Sequence, residues 1–418
     1  MPATNLDAKL QTPAPSGWRS TFRSLGNPVF LRFWGGMMFL MAGVQMQMLV
    51  RSYLTYELTG SASLVGMVAV GGSVPMLALS LFGGAIADRV ERKRLVQVGQ
   101  ILNAVIALSV GSAVLLGVIV WYHLMIASLI QGISWAFIGP ARQAMIPQIV
   151  GTENLSNAIA MNASGMSAIT VVAPAIAGIL YALVGPGFVY IIILVLAIAA
   201  VTLTTSLPRM PLASSSGERN SVLHDVGEGL RYMYSNKLVL VILLFGLGSV
   251  LIVMPYRFLL PVFVVEVYER QSDSLGLLLS VVGIGSLVGS LFVASFGRRS
   301  RGLLLLIGGF SSGLALALIS AIPLYYVAAI FMLFLGLGDA GLRALNQALV
   351  MEQVEDRYRG RVMSIWMLNF GLMPLGILPL GLAADAFGPR LTFAFMGTLM
   401  MLVVILLMIF QKRLRAVQ

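Results

Sequence analysis

Gly84-Ala85-Ile86-Ala87-Asp88-Arg89-Val90-Glu91-Arg92-Lys93 sets five charges in ten residues between two long apolar runs, 62–87 and 95–118. Crossing about 30 Å of hydrocarbon takes about 20 helical residues at a rise of about 1.5 Å each. Both runs are long enough. The charged stretch therefore reads as a short loop that turns the chain at a membrane face.

The rest of the chain follows the same plan. Of 418 residues, 58% are hydrophobic and only 10% charged, and the mean hydropathy is +0.93. A soluble domain carries about 25% charged residues, so there is too little polar surface here to face water. The absence of cysteine excludes a disulfide scaffold and a thiolate metal site. Glycine, 44 residues, exceeds the usual share of about 7%, and membrane helices use small residues to pack closely. The fold expected is all-α and polytopic.

Twelve apolar runs predict twelve spans: 29–56, 62–87, 95–118, 122–144, 155–184, 188–207, 238–267, 274–297, 302–321, 324–349, 361–386 and 391–411. The domain plan that follows is a segment 1–28, a six-helix bundle 29–207, a linker 208–237, a second bundle 238–411 and a tail 412–418. The first 28 residues lack the short apolar stretch of a signal peptide, so the run from Val29 is expected to stay as the first helix. In the linker, Leu223, Val226, Leu230 and Met233 are spaced for a short surface helix. With the N-terminus inside, 23 of the 27 Lys and Arg fall on the inner side. Only Arg51, Arg257, Arg270 and Arg390 fall outward. The net charge of +11 is thus a topology signal, with both termini cytoplasmic, and not a nucleic-acid footprint.

The halves repeat. Gln143-Ala144, Gln148 and Val150 match Gln347-Ala348, Glu352 and Val354, and Gly132 matches Gly336, all at an offset of 204. Gly84 aligns with Gly289 one residue further on. Parallel repeats of this kind place a substrate site at their interface near the midplane.

On these residues the chain resembles the major facilitator superfamily, in the branch of enterobactin exporters and macrolide-efflux permeases. The quoted decapeptide is similar to the superfamily signature G-x-x-x-D-R/K-x-G-R-R/K, with Glu91 at the second glycine. Tyr56-Glu57-Leu58-Thr59-Gly60-Ser61, Pro140-Ala141-Arg142-Gln143-Ala144 and Arg359-Gly360-Arg361-Val362-Met363-Ser364 are branch-like. The resemblance implies two six-helix bundles that rock about a central site in the bacterial inner membrane. It makes Gly84, Asp88, Arg89, Arg92 and Lys93 a cytoplasmic latch. A carboxylate at a helix end can bind guanidinium groups and a neighbouring helix N-terminus. Pro174 and Gly178 fall on the proline and a glycine of the span-five antiporter pattern, which bends that helix. Spans one, four, seven and ten should line the cavity. Their polar candidates are Gln45, Gln47, Arg51, Gln131, Arg257 and Asn346. Arg51 and Arg257 read either as an anion-attracting pair or as side chains snorkelling to the outer interface.

Of 16 acids, only Asp339 lies well inside a span, with Arg343 one turn on along the same face. An ionisable group there is a functional candidate by default. It could take up the coupling proton, form a permanent pair with Arg343, or recognise a cationic substrate. Gly336-Leu337-Gly338-Asp339 matches a protease G-x-G-D, but that chemistry needs a second mid-membrane carboxylate, which is missing. His123 and His224 stand in separate regions, so no zinc site is expected. There is no nucleotide loop. The protein is expected to need no cofactor, to catalyse no reaction and to act as a monomer. The function expected is proton-driven efflux of amphipathic small molecules. The alternatives are a siderophore exporter, a lysophospholipid flippase and, from another class, a non-transporting sensor.

Overall fold

The computed structural model describes residues 23–87, 90–151, 154–208, 228, 231–295 and 300–415. The elements among them are helical. In chain order they are α1 (Pro28–Thr59), α2 (Ala62–Ala87), α3 (Arg92–Leu115), α4 (Trp121–Val150), α5 (Leu155–Thr205), α6 (Lys237–Ile252), α7 (Tyr256–Glu266), α8 (Ser272–Ser295), α9 (Arg301–Ala321), α10 (Tyr325–Gln353), α11 (Asp356–Gly371), α12 (Pro374–Phe387), α13 (Pro389–Phe410) and α14 (Lys412–Arg415). Local chemistry sets the ends. The Asn27 side chain accepts from the amides of Val29 and Phe30, Pro28 opens α1, and Gly60 closes it at φ 62°, a left-handed cap that glycine adopts without strain.

Among the described residues ten helices, with α6 and α7 taken as one, are long and apolar enough to cross a membrane. Each expected run overlaps a described helix, and the difference from twelve lies in two places. The 51 residues of α5 break at Gly185 (φ 79°, ψ 167°). Unbroken they would reach about 76 Å, over twice the hydrocarbon thickness. The run 361–386 divides into α11 and the 14-residue α12. The run 238–267 likewise divides into α6 and α7. Pro255 and Pro374 sit at these two breaks. Proline lacks the amide that would continue the ladder, while hydropathy runs on through it. Of the expected linker helix, 231–235 is helical and Met233 is buried. Leu223, Val226 and Leu230 lie outside the described residues.

Side-chain burial fits a lipid solvent. On α3, Val98, Ile101, Val105 and Leu108 are about half exposed at helical spacing, while Val96, Gln100, Asn103 and Ile106 turn inward. In water each half-exposed aliphatic would forfeit roughly half of the ~1.5–3 kcal/mol that full burial brings. In hydrocarbon it forfeits little.

The helices pack as two groups. In the first, α1 and α3 lie on α5, and α2 lies on α4; in the second, α8 and α9 lie on α10, and α9 on α13. The groups meet where α5 crosses α8 and α2 crosses α12. The repeat is visible in backbone contact. A Cβ on Gly132 would lie 1.9 Å from Gly72 O, and one on Gly336 2.1 Å from Val282 O. These are the α4–α2 and α10–α8 crossings, reached at the same depth along α2 and α8.

Candidate functional site

Between the halves lies a narrow central cavity of about 30 Å³, lined by Gln45, Met48 and Ser52 of α1, Thr170 of α5, Arg257 of α7 and Leu279 of α8. A drug-sized ligand needs about 300–1,000 Å³, so the walls must part to admit one.

The second half supplies the charges. Asp339 lies in the middle of α10 and is 5% exposed. Its Oδ2 is 3.0 Å from Arg343 Nη2, one turn along the same helix, and 3.7 Å from Arg257 Nη2. Arg257 is the second residue of α7, just past the break after α6, so a discontinuous helix delivers it to the cavity wall. Its Nε is buried without a hydrogen-bond partner. The reading of Asp339 beside Arg343 holds as geometry. Arg257 as the second guanidinium was not foreseen.

In the first half, Arg51 Nη1 donates to Gln131 Oε1 at 2.8 Å. Gln131 Nε2 donates to Gln47 Oε1 at 2.6 Å and to Asn103 Oδ1 at 3.1 Å. All four side chains are buried. Buried amides in a bilayer find one another because hydrocarbon offers no alternative partner. Arg51 thus turns towards Gln131, and Arg257 towards the central cavity and Asp339. Asn346 is tied within its half: it donates to Ile242 O at 2.7 Å and accepts from Trp366 at 2.8 Å. Of the six cavity candidates, Gln45 and Arg257 line the central cavity.

The latch residues divide. Asp88 and Arg89 lie outside the described residues, and Gly84 falls in α2. Arg92 donates to Ala144 O at 3.4 Å. Lys93 donates to Thr205 O at 2.9 Å and to Leu207 O, so a cation meets the carbonyl end of α5. These contacts stay within the first half. Pro174 and Gly178 lie in the crossing with α8. A Cβ on Gly178 would come 2.3 Å from Ser272 O, and Ser272 Oγ donates to Gly178 O at 3.2 Å. The non-helical backbone inside α5 is at Gly185.

A cluster that sequence reading missed closes the end of the molecule opposite the helix α1 N-terminus. Asp385 of α12 accepts from Ala62 N at 2.6 Å, Ser63 N at 3.0 Å and Ser61 Oγ at 2.9 Å. A carboxylate from one half thus caps a helix of the other, where the dipole favours negative charge. Beside it, the Tyr56 hydroxyl donates to Glu266 across the halves, and Tyr181 donates to Glu57. Tyr56, Glu57 and Ser61 all belong to the branch-like phrase 56–61, and that was the available signal.

Two groups of membrane-length helices, a cavity between them and ionisable side chains at mid-depth define a membrane transporter. The profile of the family described as transmembrane secretion effector matches residues 19–418. The chain belongs to that family, and is a major facilitator transporter of the secretion, or efflux, type. It is 27% identical to macrolide efflux protein A of Streptococcus pyogenes, over 90% of this chain and 94% of that one. It is 26% identical to the staphyloferrin A transporter of Staphylococcus aureus, over 81% and 85%, and 27% identical to the enterobactin exporter EntS of Citrobacter koseri, over 79% and 77%. Among solved structures, the nucleoside transporter NupG superposes with a TM-score of 0.72 at 14% identity, covering 92% of this chain and 99% of that one. That likeness concerns the fold.

Proposed function

We propose that the protein exports amphipathic small molecules across a bacterial inner membrane by alternating access, as a monomer with both termini cytoplasmic and without enzymatic chemistry. The architecture behind this reading is two six-span bundles, 29–207 and 238–411, joined by a cytoplasmic linker. The observation that carries the reading is the central cavity. It is too small for its cargo, and cross-half hydrogen bonds from Asp385, Tyr56 and Ser272 hold one end together. Releasing those contacts opens the site to one side, and the Asp88 loop is the candidate closure for the other. Efflux names among the relatives support the direction.

Asp339 is the proposed proton carrier. Two guanidinium groups flank it in a buried setting, and Arg257 reaches it from a separate helix, so a shift of α7 against α10 during the cycle changes how well the charged form is held. The test is accumulation of fluorescent amphipathic dyes in cells expressing the protein, with and without a protonophore. Lower accumulation that the protonophore abolishes supports proton-driven export. Lower accumulation that survives the protonophore removes Asp339 from the coupling role and leaves export standing.

The names staphyloferrin A transporter and enterobactin exporter support a second reading, a narrow siderophore cargo. No change for any dye, with the protein confirmed in the membrane, would favour it.

A further inference from the structure

The membrane interior of this protein holds an imbalance of charge. Among the described residues set two or more turns inside the long helices, with α6 and α7 taken as one, Arg51, Arg142, Arg257 and Arg343 outnumber the one carboxylate, Asp339. Arg51 is satisfied by an uncharged amide, Gln131. Arg343 takes the near position on Asp339 at 3.0 Å. Arg257 is left at 3.7 Å from the same oxygen, beside the Tyr256 ring, with its Nε buried and without a hydrogen bond. Arg257 is also the charged residue on the wall of the central cavity.

A buried guanidinium with an unmet donor is costly unless a partner completes it. Around it the wall is mixed. Gln45, Ser52 and Thr170 offer polar groups, while Met48, Leu275 and Leu279 offer an apolar face. Arg257 is the second residue of the 11-residue α7, whose first amides are already bonded to the carbonyls of Val253, Met254 and Pro255, so its side chain and not the helix end is the donor left for a ligand.

Resting on the transporter reading above, we infer that the central cavity binds the anionic group of an amphipathic substrate at Arg257, and that the substrate class is an amphipathic anion such as a carboxylate on an apolar body. A cation in the same place would meet Arg257, the charged side chain on that wall, with Asp339 behind it already flanked by Arg343. The substrate's anionic group and Asp339 compete for Arg257. Arg343 keeps Asp339 paired when Arg257 turns to the substrate, so the exchange strands no buried carboxylate.

The experiment uses the full chain in nanodiscs of zwitterionic lipid and three probes on one fluorophore. They are dansyl-aminoundecanoic acid, its methyl ester, and a trimethylammonium analogue of the same length. The carboxylate is expected to bind at least tenfold more tightly than the ester, and the cation more weakly than either. Arg257→Gln should remove the preference for the carboxylate and leave ester binding within twofold. Arg257→Lys should restore part of it. Equal binding of carboxylate and ester by the unaltered protein, tighter binding of the cation, or binding of none of the three overturns the assignment, and this comparison needs no variant to fold. Transport of the ester or cation in proteoliposomes would sustain the transporter reading while the anion assignment fails. Absence of transport for every probe would count against both.

Discussion

Arg257 and Arg343 share one oxygen of Asp339, at 3.7 and 3.0 Å, although they reach it from α7 and α10. Arg343 is fixed by helical spacing, one turn from Asp339 on the same rod. Arg257 comes from a separate helix, so its distance depends on how the second half is packed. The nearer pair is the stable part of the cluster and the farther contact is the adjustable part.

That asymmetry predicts how the cluster responds to loss of its carboxylate. Asp339→Asn leaves two partly buried guanidinium groups, 17% and 29% exposed, without a countercharge. Removing one partner of a buried ion pair costs about 3–5 kcal/mol. The variant should insert but melt earlier, by thermal unfolding in detergent, and should lose proton-gradient-driven dye transport. Combining Asp339→Asn with Arg343→Gln should recover part of the melting temperature and none of the coupling. Full pH-gradient-driven transport by Asp339→Asn would remove the carboxylate from the coupling role.

Asp385 makes a second prediction. Its three contacts fasten α12 to the first turn of α2, and a lost cap costs about 0.5–2 kcal/mol. Asp385→Ala should therefore shift the population towards a state opened at that end by a factor of about 2–30. The chain has no native cysteine, so spin labels can be placed at Leu58 and Tyr326, both exposed. Pulsed electron resonance should show a longer-distance component grow in the variant. An unchanged distance distribution would mean that Tyr56–Glu266 and the α5–α8 crossing suffice to hold this end.

The Asp339–Arg343 pair was legible because a helix converts a spacing of four into contact. Arg257 as the third member was not, since nothing in a linear chain states which face of α7 meets α10. The glycine match Gly132–Gly336 was legible as a repeat, and the structure supplies its reason in two backbone crossings of under 3 Å at a notional Cβ. Asp385 read only as an acid near a span end. Its role depends on a helix N-terminus more than 300 residues away. The breaks after α6 and α11 were hidden because hydropathy averages over Pro255 and Pro374, whose effect is on hydrogen bonding and not on polarity.

Gly178 tests the contact between halves. A Cβ there would lie 2.3 Å from Ser272 O, against a comfortable contact of about 3.5 Å. Gly178→Ala must separate α5 from α8 by about 1 Å at this crossing. Because both surfaces at the crossing are backbone, no side-chain rotation can relieve the overlap. The same spin-label pair should report an opened end, and dye export should fall while membrane insertion persists. Unchanged export would show that the crossing has slack that the static packing conceals.

If the cargo is an anion, membrane voltage alone can drive its export. A single negative charge leaving a cell gains about 2.3 kcal/mol per 100 mV of inside-negative potential, about a 50-fold shift in its equilibrium distribution. Proton exchange at Asp339 changes this sum. A monoanion leaving together with a proton moves no net charge and ignores voltage, whereas a monoanion exchanged for an entering proton moves two. In proteoliposomes clamped with valinomycin and potassium, the dansyl carboxylate should therefore distribute with a slope that counts charges per cycle. Two charges are expected for the unaltered protein, with Asp339 as the exchanging group, and one for any transport that survives in Asp339→Asn. A flat response in the unaltered protein would mean that proton and anion leave together, and would exclude antiport at Asp339.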